Sequence, residues 1–251
     1  MRPDPGAEKS GRRQDEGSGG YGGRQVSALW EQPGFRAVAG NAWRPGGLKL
    51  TEAALDWCEA AALLQPGPES LVVDCGAGAG ASLRLLAARG YRALGLDRQA
   101  GEDEWPELPA AAALIRADCC SMPLASNCAR LALFECVLSL VARPEIALQE
   151  ARRILRAGAL LVASDVTWRA GALAVPDADA GSSCLAGARS VAAWQALFTG
   201  AGFRILRYEN HDRALVELAA QMIWHGVGGL CACGAMQRRH GYGLWIVQKE
   251  R

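Results

Sequence analysis

The chain has 251 residues, with 27 Lys and Arg against 26 Asp and Glu, for a formal charge of +1. Half of its residues are hydrophobic and 21% are charged, the balance of a folded globular protein and not of a disordered one. Near-neutral charge argues against a broad nucleic-acid surface, no run of about 18 uncharged apolar residues marks a membrane span, and no apolar leader core follows the first basic residues. A soluble cytoplasmic protein is therefore expected. Nine cysteines, an odd number, then read as reduced thiols and not as a disulfide framework.

Residues 1–28 are rich in Gly, Pro, Ser and mixed charge, with almost nothing apolar to bury. Such a segment cannot offset its ordering entropy, so a disordered tail is predicted there, followed by one domain over 29–251. After a Pro-Gly-Gly turn in GNAWRPGGLKL, Thr51 is placed as the N-cap of a helix over TEAALDWCEAAALL. LVVDC (71–75) reads as a strand, GAGAGAS as a turn, and LRLLAARG as a helix with Leu83, Leu86 and Ala87 on one face. ALGLD (93–97) and AALIRAD (112–118) read as the next two strands, and LALFECVLSLV (131–141) as a fourth running into a loop. A helix opening at Pro144 runs to Arg156, and a fifth strand covers Ala159 to Asp165.

Residues 169–188 look like a long loop, followed by a helix (189–200), the strand FRILRYE (203–209) and a helix over 213–224. Leu215, Leu218, Ala219, Met222 and Ile223 share one face of that last helix. YGLWIVQK (242–249) closes the chain as a strand expected to pair antiparallel at the edge of the sheet. Short buried strands alternating with helices predict an α/β fold, a doubly wound and mostly parallel sheet.

The strongest chemical signal is Asp74-Cys75-Gly76-Ala77-Gly78-Ala79-Gly80 between a strand and a helix. Glycines there permit a sharp turn and close approach of a ligand to the backbone. Asp97, about 20 residues on at the end of the next strand, is placed to take both hydroxyls of a ribose. Gly76-x-Gly78-x-x-Ala81 formally satisfies a dinucleotide fingerprint, so an NAD-dependent oxidoreductase is one reading. Asp74 opposes it, because a carboxylate there repels a pyrophosphate and suits an ammonium or a sulfonium. With Asp118 offered to an adenine amino group, three acidic strand ends fit an adenosine carrying a cationic amino acid, which is S-adenosylmethionine (SAM).

The order VVDCGAGAG, GLD, AD-CC-SMPL, ECVLSL and EARRILRAGALLVASDV resembles the class I SAM-dependent methyltransferases, notably the group of ubiquinone-biosynthesis and arsenite methyltransferases. The resemblance covers about residues 35–250. It implies a Rossmann-like, seven-stranded sheet with an antiparallel last strand. It also implies a cofactor site: Asp74, Gly76, Ala77, Gly78 and Gly80 near the methionine moiety, Asp97 with Arg98 at the ribose, Asp118 and Cys119 around the adenine. Glu135 and Cys136 would lie beside the methyl group, and the RPGG segment would be a lid. WRPGGLKLTEAAL, SCLAGA and ENHDRALVELAAQMIW further resemble a group of bacterial methyltransferases that accompany molybdenum- or tungsten-dependent aldehyde oxidoreductases, which implies such a system as a partner. The chain departs from the family at Arg130, where an Asp is usual, and at Ala157-Gly158-Ala159, where Pro-Gly-Gly is usual.

Methyl transfer from a sulfonium needs alignment, desolvation and a deprotonated acceptor, so no diagnostic base is required. His211-Asp212 is the candidate base and orienting partner, against the plainer reading of a surface or helix-capping pair. Cys184, Cys231 and Cys233 are the candidate thiolate cluster for a metal or a trivalent metalloid, which would then be the methyl acceptor. Cys75, Cys119 and Cys136 read as small packing residues. A small-molecule or metalloid acceptor is expected, without nucleic acid or membrane. A non-catalytic SAM- or metal-binding accessory protein is the remaining alternative.

Overall fold

A computed structural model of the chain describes residues 33–99, 107–169, 184–227 and 239–250. The tail expected over 1–28 lies outside the described residues. Two N-terminal helices, α1 (Pro33–Ala39) and α2 (Leu48–Ala60), precede the alternation β1 (Gly67–Cys75), α3 (Ala81–Ala88), β2 (Tyr91–Asp97), β3 (Ala112–Arg116), β4 (Ala129–Glu135), α4 (Pro144–Ile154) and β5 (Leu155–Trp168). Then come β6 (Arg189–Ser190), α5 (Val191–Gly200), β7 (Phe203–Asn210), α6 (Asp212–Trp224) and β8 (His240–Lys249).

The sheet runs β3-β2-β1-β4-β5-β8-β7, with the two-residue β6 beside the end of β5. Strands β3 to β5 are parallel, and β8 is antiparallel to both of its neighbours. This is the doubly wound, Rossmann-like architecture expected from the alternation, with one correction. β8 is not an edge strand: it is inserted between β5 and β7, which leaves β7 outermost. Its first eight residues, His240–Val247, are all buried. An uninterrupted apolar run of this kind needs cover on both faces, which only an interior position supplies.

Helices α2, α3 and α6 pack on one face of the sheet around Leu55, Leu86 and Met222, while α4 and α5 pack on the other around Leu148, Ile154 and Trp194. In α4, Pro144 opens the first turn, and Ala147, Leu148, Ala151 and Ile154 form the buried stripe. In α6 the stripe is Leu215, Ala219 and Met222, whereas Ile223 is 53% exposed. That residue is one position past the stripe, and its 100° rotation carries it to solvent.

Thr51 is not an N-cap. Helix α2 starts three residues earlier at Leu48, and Thr51 is fully buried inside it. Its hydroxyl serves a tertiary partner described below.

Candidate active site

The strand order reverses between β1 and β4, and a doubly wound sheet opens its ligand crevice at the carboxyl ends of the strands beside such a reversal. A cavity of about 710 Å³ lies there. Topology lays acidic residues along it in spatial order: Asp118 after β3, Asp97 closing β2, Asp74 near the end of β1 and Glu135 closing β4. Asp97, Asp118 and Glu135 line the cavity, while Asp74 is buried beneath it.

The glycine turn is tied to the neighbouring strand. The amides of Gly76 and Ala77 donate to the Leu96 carbonyl at 2.7 and 3.2 Å, that of Gly78 to Asp97 Oδ2 at 2.9 Å, and that of Gly80 to the Ala77 carbonyl at 2.8 Å. These four donors are thus satisfied within the protein. A pyrophosphate cradle presents such amides to its ligand, so the turn fits a ligand that lies against backbone without needing its N–H groups. This geometry disfavours the dinucleotide reading. Gly76 sits at φ 76°, and a Cβ there would collide with Val137. Gly78, at φ 50°, lies under the Trp43 ring, which a Cβ would meet at 3.3 Å. The Arg36 guanidinium stacks 4.3 Å above that ring, so the segment before α2 roofs the turn.

Beneath the roof is a buried polar network that the sequence alone did not reveal. Glu135 accepts from the Thr51 hydroxyl at 2.6 Å and the Ser82 hydroxyl at 2.9 Å, and pairs with Arg44 Nη2 at 2.9 Å. The same nitrogen donates to Thr51 at 2.6 Å and Ser82 at 3.0 Å. Four elements meet at this point: the RPGG turn, α2, α3 and β4. The Arg44 and Glu135 side chains are only 10% and 3% exposed, so the ion pair acts at low dielectric.

Burial pushes the Asp74 carboxyl well above the usual carboxylate range, the Glu135 charge adds to the rise, and Arg44 opposes it. Ionisation of Asp74 is therefore disfavoured in the ligand-free chain. A cationic ligand favours the ionised form. Binding of a cationic ligand beside Asp74 is therefore expected to release protons, read as a dependence of the calorimetric heat on buffer ionisation enthalpy. Identical heats in phosphate and Tris would refute that role.

The opposite end of the cavity is apolar. Val166, Leu185, Leu215, Leu218 and Met222 line it, with Phe35 from α1. Cys136 joins β4 to this region at φ 61°, a left-handed conformation uncommon for a side chain of its size. The short turn Leu138–Leu140 follows, and buried Asp165 holds it by accepting from the Ser139 amide at 3.0 Å. Burial raises Asp165 to about 6.

The other expected site residues are placed as follows. Gly76, Ala77, Gly78, Asp97, Arg98, Asp118, Cys119 and Glu135 all line the cavity, and Gly80 caps α3 beside it. Arg98 lies at the rim with its side chain 73% exposed, its Nε 3.8 Å from Asp118. His211 and Asp212 do not form the expected pair, and neither lines the cavity. His211 Nε2 lies 2.9 Å from Glu209, while Asp212 accepts from the Tyr242 amide at 2.9 Å and pairs with Arg169 at 3.2 Å. At the junction of β7 and α6, successive side chains point in different directions, and the two partners diverge. Cys231 and Cys233 lie outside the described residues; Cys184 opens the short helix Cys184–Gly187. Cys75 and Cys119 are buried, as packing residues would be, whereas Cys136 is partly exposed to the cavity.

Residues 73–163 match the family model of a methyltransferase domain. That match covers the strands and turns around the glycine-rich segment, and the architecture of the whole sheet is Rossmann-like. No curated protein matches the sequence. Among solved structures, the chain is similar to the [4+2]-cyclase SpnF, with a TM-score of 0.67 and 17% identity over 89% of this chain and 86% of that one. Geranyl diphosphate C-methyltransferase from Streptomyces coelicolor A3(2), bound to geranyl diphosphate and S-adenosyl-L-homocysteine, gives 0.66 and 16% over 85% and 86%. Phosphoethanolamine N-methyltransferase 2 from Haemonchus contortus, bound to SAM, gives 0.67 and 13% over 87% of this chain but 56% of its own. At such identities the likeness concerns the fold. No helix among the described residues is long and apolar enough to cross a membrane.

Proposed function

We propose that this chain transfers the methyl group of SAM to a small, uncharged and largely apolar acceptor. The observation that carries the reading is a single cavity with carboxylates at one end and aliphatic side chains at the other. Asp118 would meet the adenine, Asp97 the ribose hydroxyls, and Asp74 with Glu135 the cationic part of the amino acid, whose carboxylate Arg44 would face. Bound there, SAM supplies an electrophilic methyl carbon on a sulfonium. The chain's own contribution is positioning and exclusion of water: Trp43 covers the glycine turn, and Leu215, Leu218 and Met222 present an apolar wall.

Among the described residues no histidine lines the cavity, which favours an acceptor that ionises easily or carries a lone pair already available. Phenols, thiols and neutral amines fit that chemistry. A metalloid held by Cys184, Cys231 and Cys233 is the narrower alternative from the sequence, and the aliphatic wall favours an organic acceptor over it. The partnership with a molybdenum or tungsten oxidoreductase stays a proposal resting on sequence resemblance alone.

The test is methyl transfer from labelled SAM to a panel of small phenols, thiols, amines, nucleotides and peptides. Turnover on apolar members is the expected result, and turnover confined to nucleotides or charged peptides would overturn the reading. For an accepted substrate, Met222→Gln should lower kcat/KM roughly tenfold or more by placing an unpaired amide in the wall. S-adenosylhomocysteine affinity should stay within about twofold, since Met222 belongs to the acceptor end. An equal loss in both would place Met222 in the fold's support instead.

A further inference from the structure

We propose that Asp118, Cys119 and Cys120, in the loop after β3, form a binding site for a soft divalent cation of the zinc and cadmium class. One carboxylate oxygen and the two Sγ atoms lie within 4.8 Å of one another. Donors around a tetrahedral ion with bonds of about 2.3 Å stand about 3.8 Å apart, so a modest contraction closes this triad on one ion. The loop already gathers the groups: Asp118 Oδ1 accepts from the Cys120 amide at 2.8 Å, and its carbonyl accepts from the Ser121 amide at 3.0 Å. Two sulfurs select a soft or borderline cation over magnesium or calcium.

The surroundings suit an ion that arrives from solvent. Cys119 is buried, Cys120 is half-buried, and the Asp118 side chain is 45% exposed, which grades the triad from interior to surface. Burial holds the Cys119 thiol protonated, pushed up to about 12, and raises Cys120 as well. Coordination would therefore displace two thiol protons to solvent, leaving two thiolates and one carboxylate around the dication. Arg98, 3.8 Å from Asp118, offsets the single negative charge that remains.

Asp118 and Cys119 also line the cavity at the end assigned above to adenine. On that reading of the cofactor site, ion and adenosyl group exclude each other, and a thiophilic metal closes the enzyme to SAM. The ion site itself does not depend on that reading.

Cadmium chloride titrated into the full chain, followed by heat and by the ultraviolet thiolate-to-cadmium band, tests both parts. The Cys119→Ser/Cys120→Ser variant should lose that band and the associated binding, although seven other cysteines remain. Asp118→Asn, a near-isosteric change at a partly exposed position, should weaken cadmium at least about tenfold, and it serves if the serine variant fails to fold. Cadmium binding unchanged in both variants would overturn the site. Prior saturation with S-adenosylhomocysteine should block the ion. If that ligand binds the wild type and cadmium affinity does not move, the overlap is overturned. If S-adenosylhomocysteine fails to bind, the methyltransferase reading falls, while the serine variant still decides the ion site.

Discussion

Replacing Asp97 with Ala is expected to weaken S-adenosylhomocysteine binding by roughly two orders of magnitude. On the proposed reading Asp97 takes both ribose hydroxyls, and each hydrogen bond to a charged group is worth about 1.5–3 kcal/mol. Losing two of them costs about 3 kcal/mol or more, which at 1.4 kcal/mol per decade is a hundredfold. Asp97 has a second task, since its other contacts hold the Gly78 amide at 2.9 Å and the Gln99 amide at 2.8 Å. Asp97→Asn separates the two roles: its carbonyl can keep the Gly78 amide, but it cannot accept both hydroxyls. Both variants should therefore lose the ligand, while Asn melts closer to wild type than Ala. Calorimetry for binding and thermal unfolding for stability read the two effects independently. Wild-type affinity in Asp97→Ala would remove the ribose assignment, and with it the order of cofactor parts along the strand ends.

That order is the portion of the site most legible in the sequence. Asp74, Asp97 and Asp118 each close or nearly close a short apolar run, so their places at the sheet's carboxyl edge follow from the strand boundaries and a parallel topology. Glu135 followed from the fourth run in the same way. Residues whose roles depend on distant partners were not legible. Thr51 looks like a helix cap from its neighbours, yet its hydroxyl serves Glu135, 84 residues away. Ser82 sits in the first turn of α3 without any local mark of its bond to Glu135, 53 residues on. The insertion of β8 was missed because local pattern reports burial and not partners, although the unbroken apolar run of Gly243–Val247 did signal a strand covered on both faces. For His211-Asp212 the plainer surface reading fits the geometry, because neighbours in sequence at a strand–helix junction turn to different partners.

On the proposed function, the choice of second substrate falls to the apolar end of the cavity. On that reading the carboxylates along the crevice would position the adenosyl group, and α1, α6 and the Cys184–Gly187 turn would bound the second substrate. Gly187 shows how tightly that wall is seated, because any Cβ there would overlap the Ser139 carbonyl. The apolar wall is thereby seated against the Leu138–Leu140 turn, a rigid frame on which its side chains would set specificity.

The second large effect is expected at Arg44. Arg44→Met should destabilise the chain by about 3–5 kcal/mol, because it leaves Glu135 as a buried carboxylate without a counter-charge. For a domain of this size that corresponds to a fall in Tm on the order of 10 °C. Thr51 and Ser82 would still donate to Glu135, but hydroxyls do not neutralise a charge. Two further variants separate charge from packing. Glu135→Gln alone strands the Arg44 guanidinium in the same way, whereas Arg44→Met/Glu135→Gln removes both charges and should recover about 2 kcal/mol or more relative to the summed single losses. Additive losses in the double variant would mean that Arg44 supports the roof through packing of its stem alone. The ion pair would then be incidental to the site, and the methionine end of the cavity would have to be assigned to other groups.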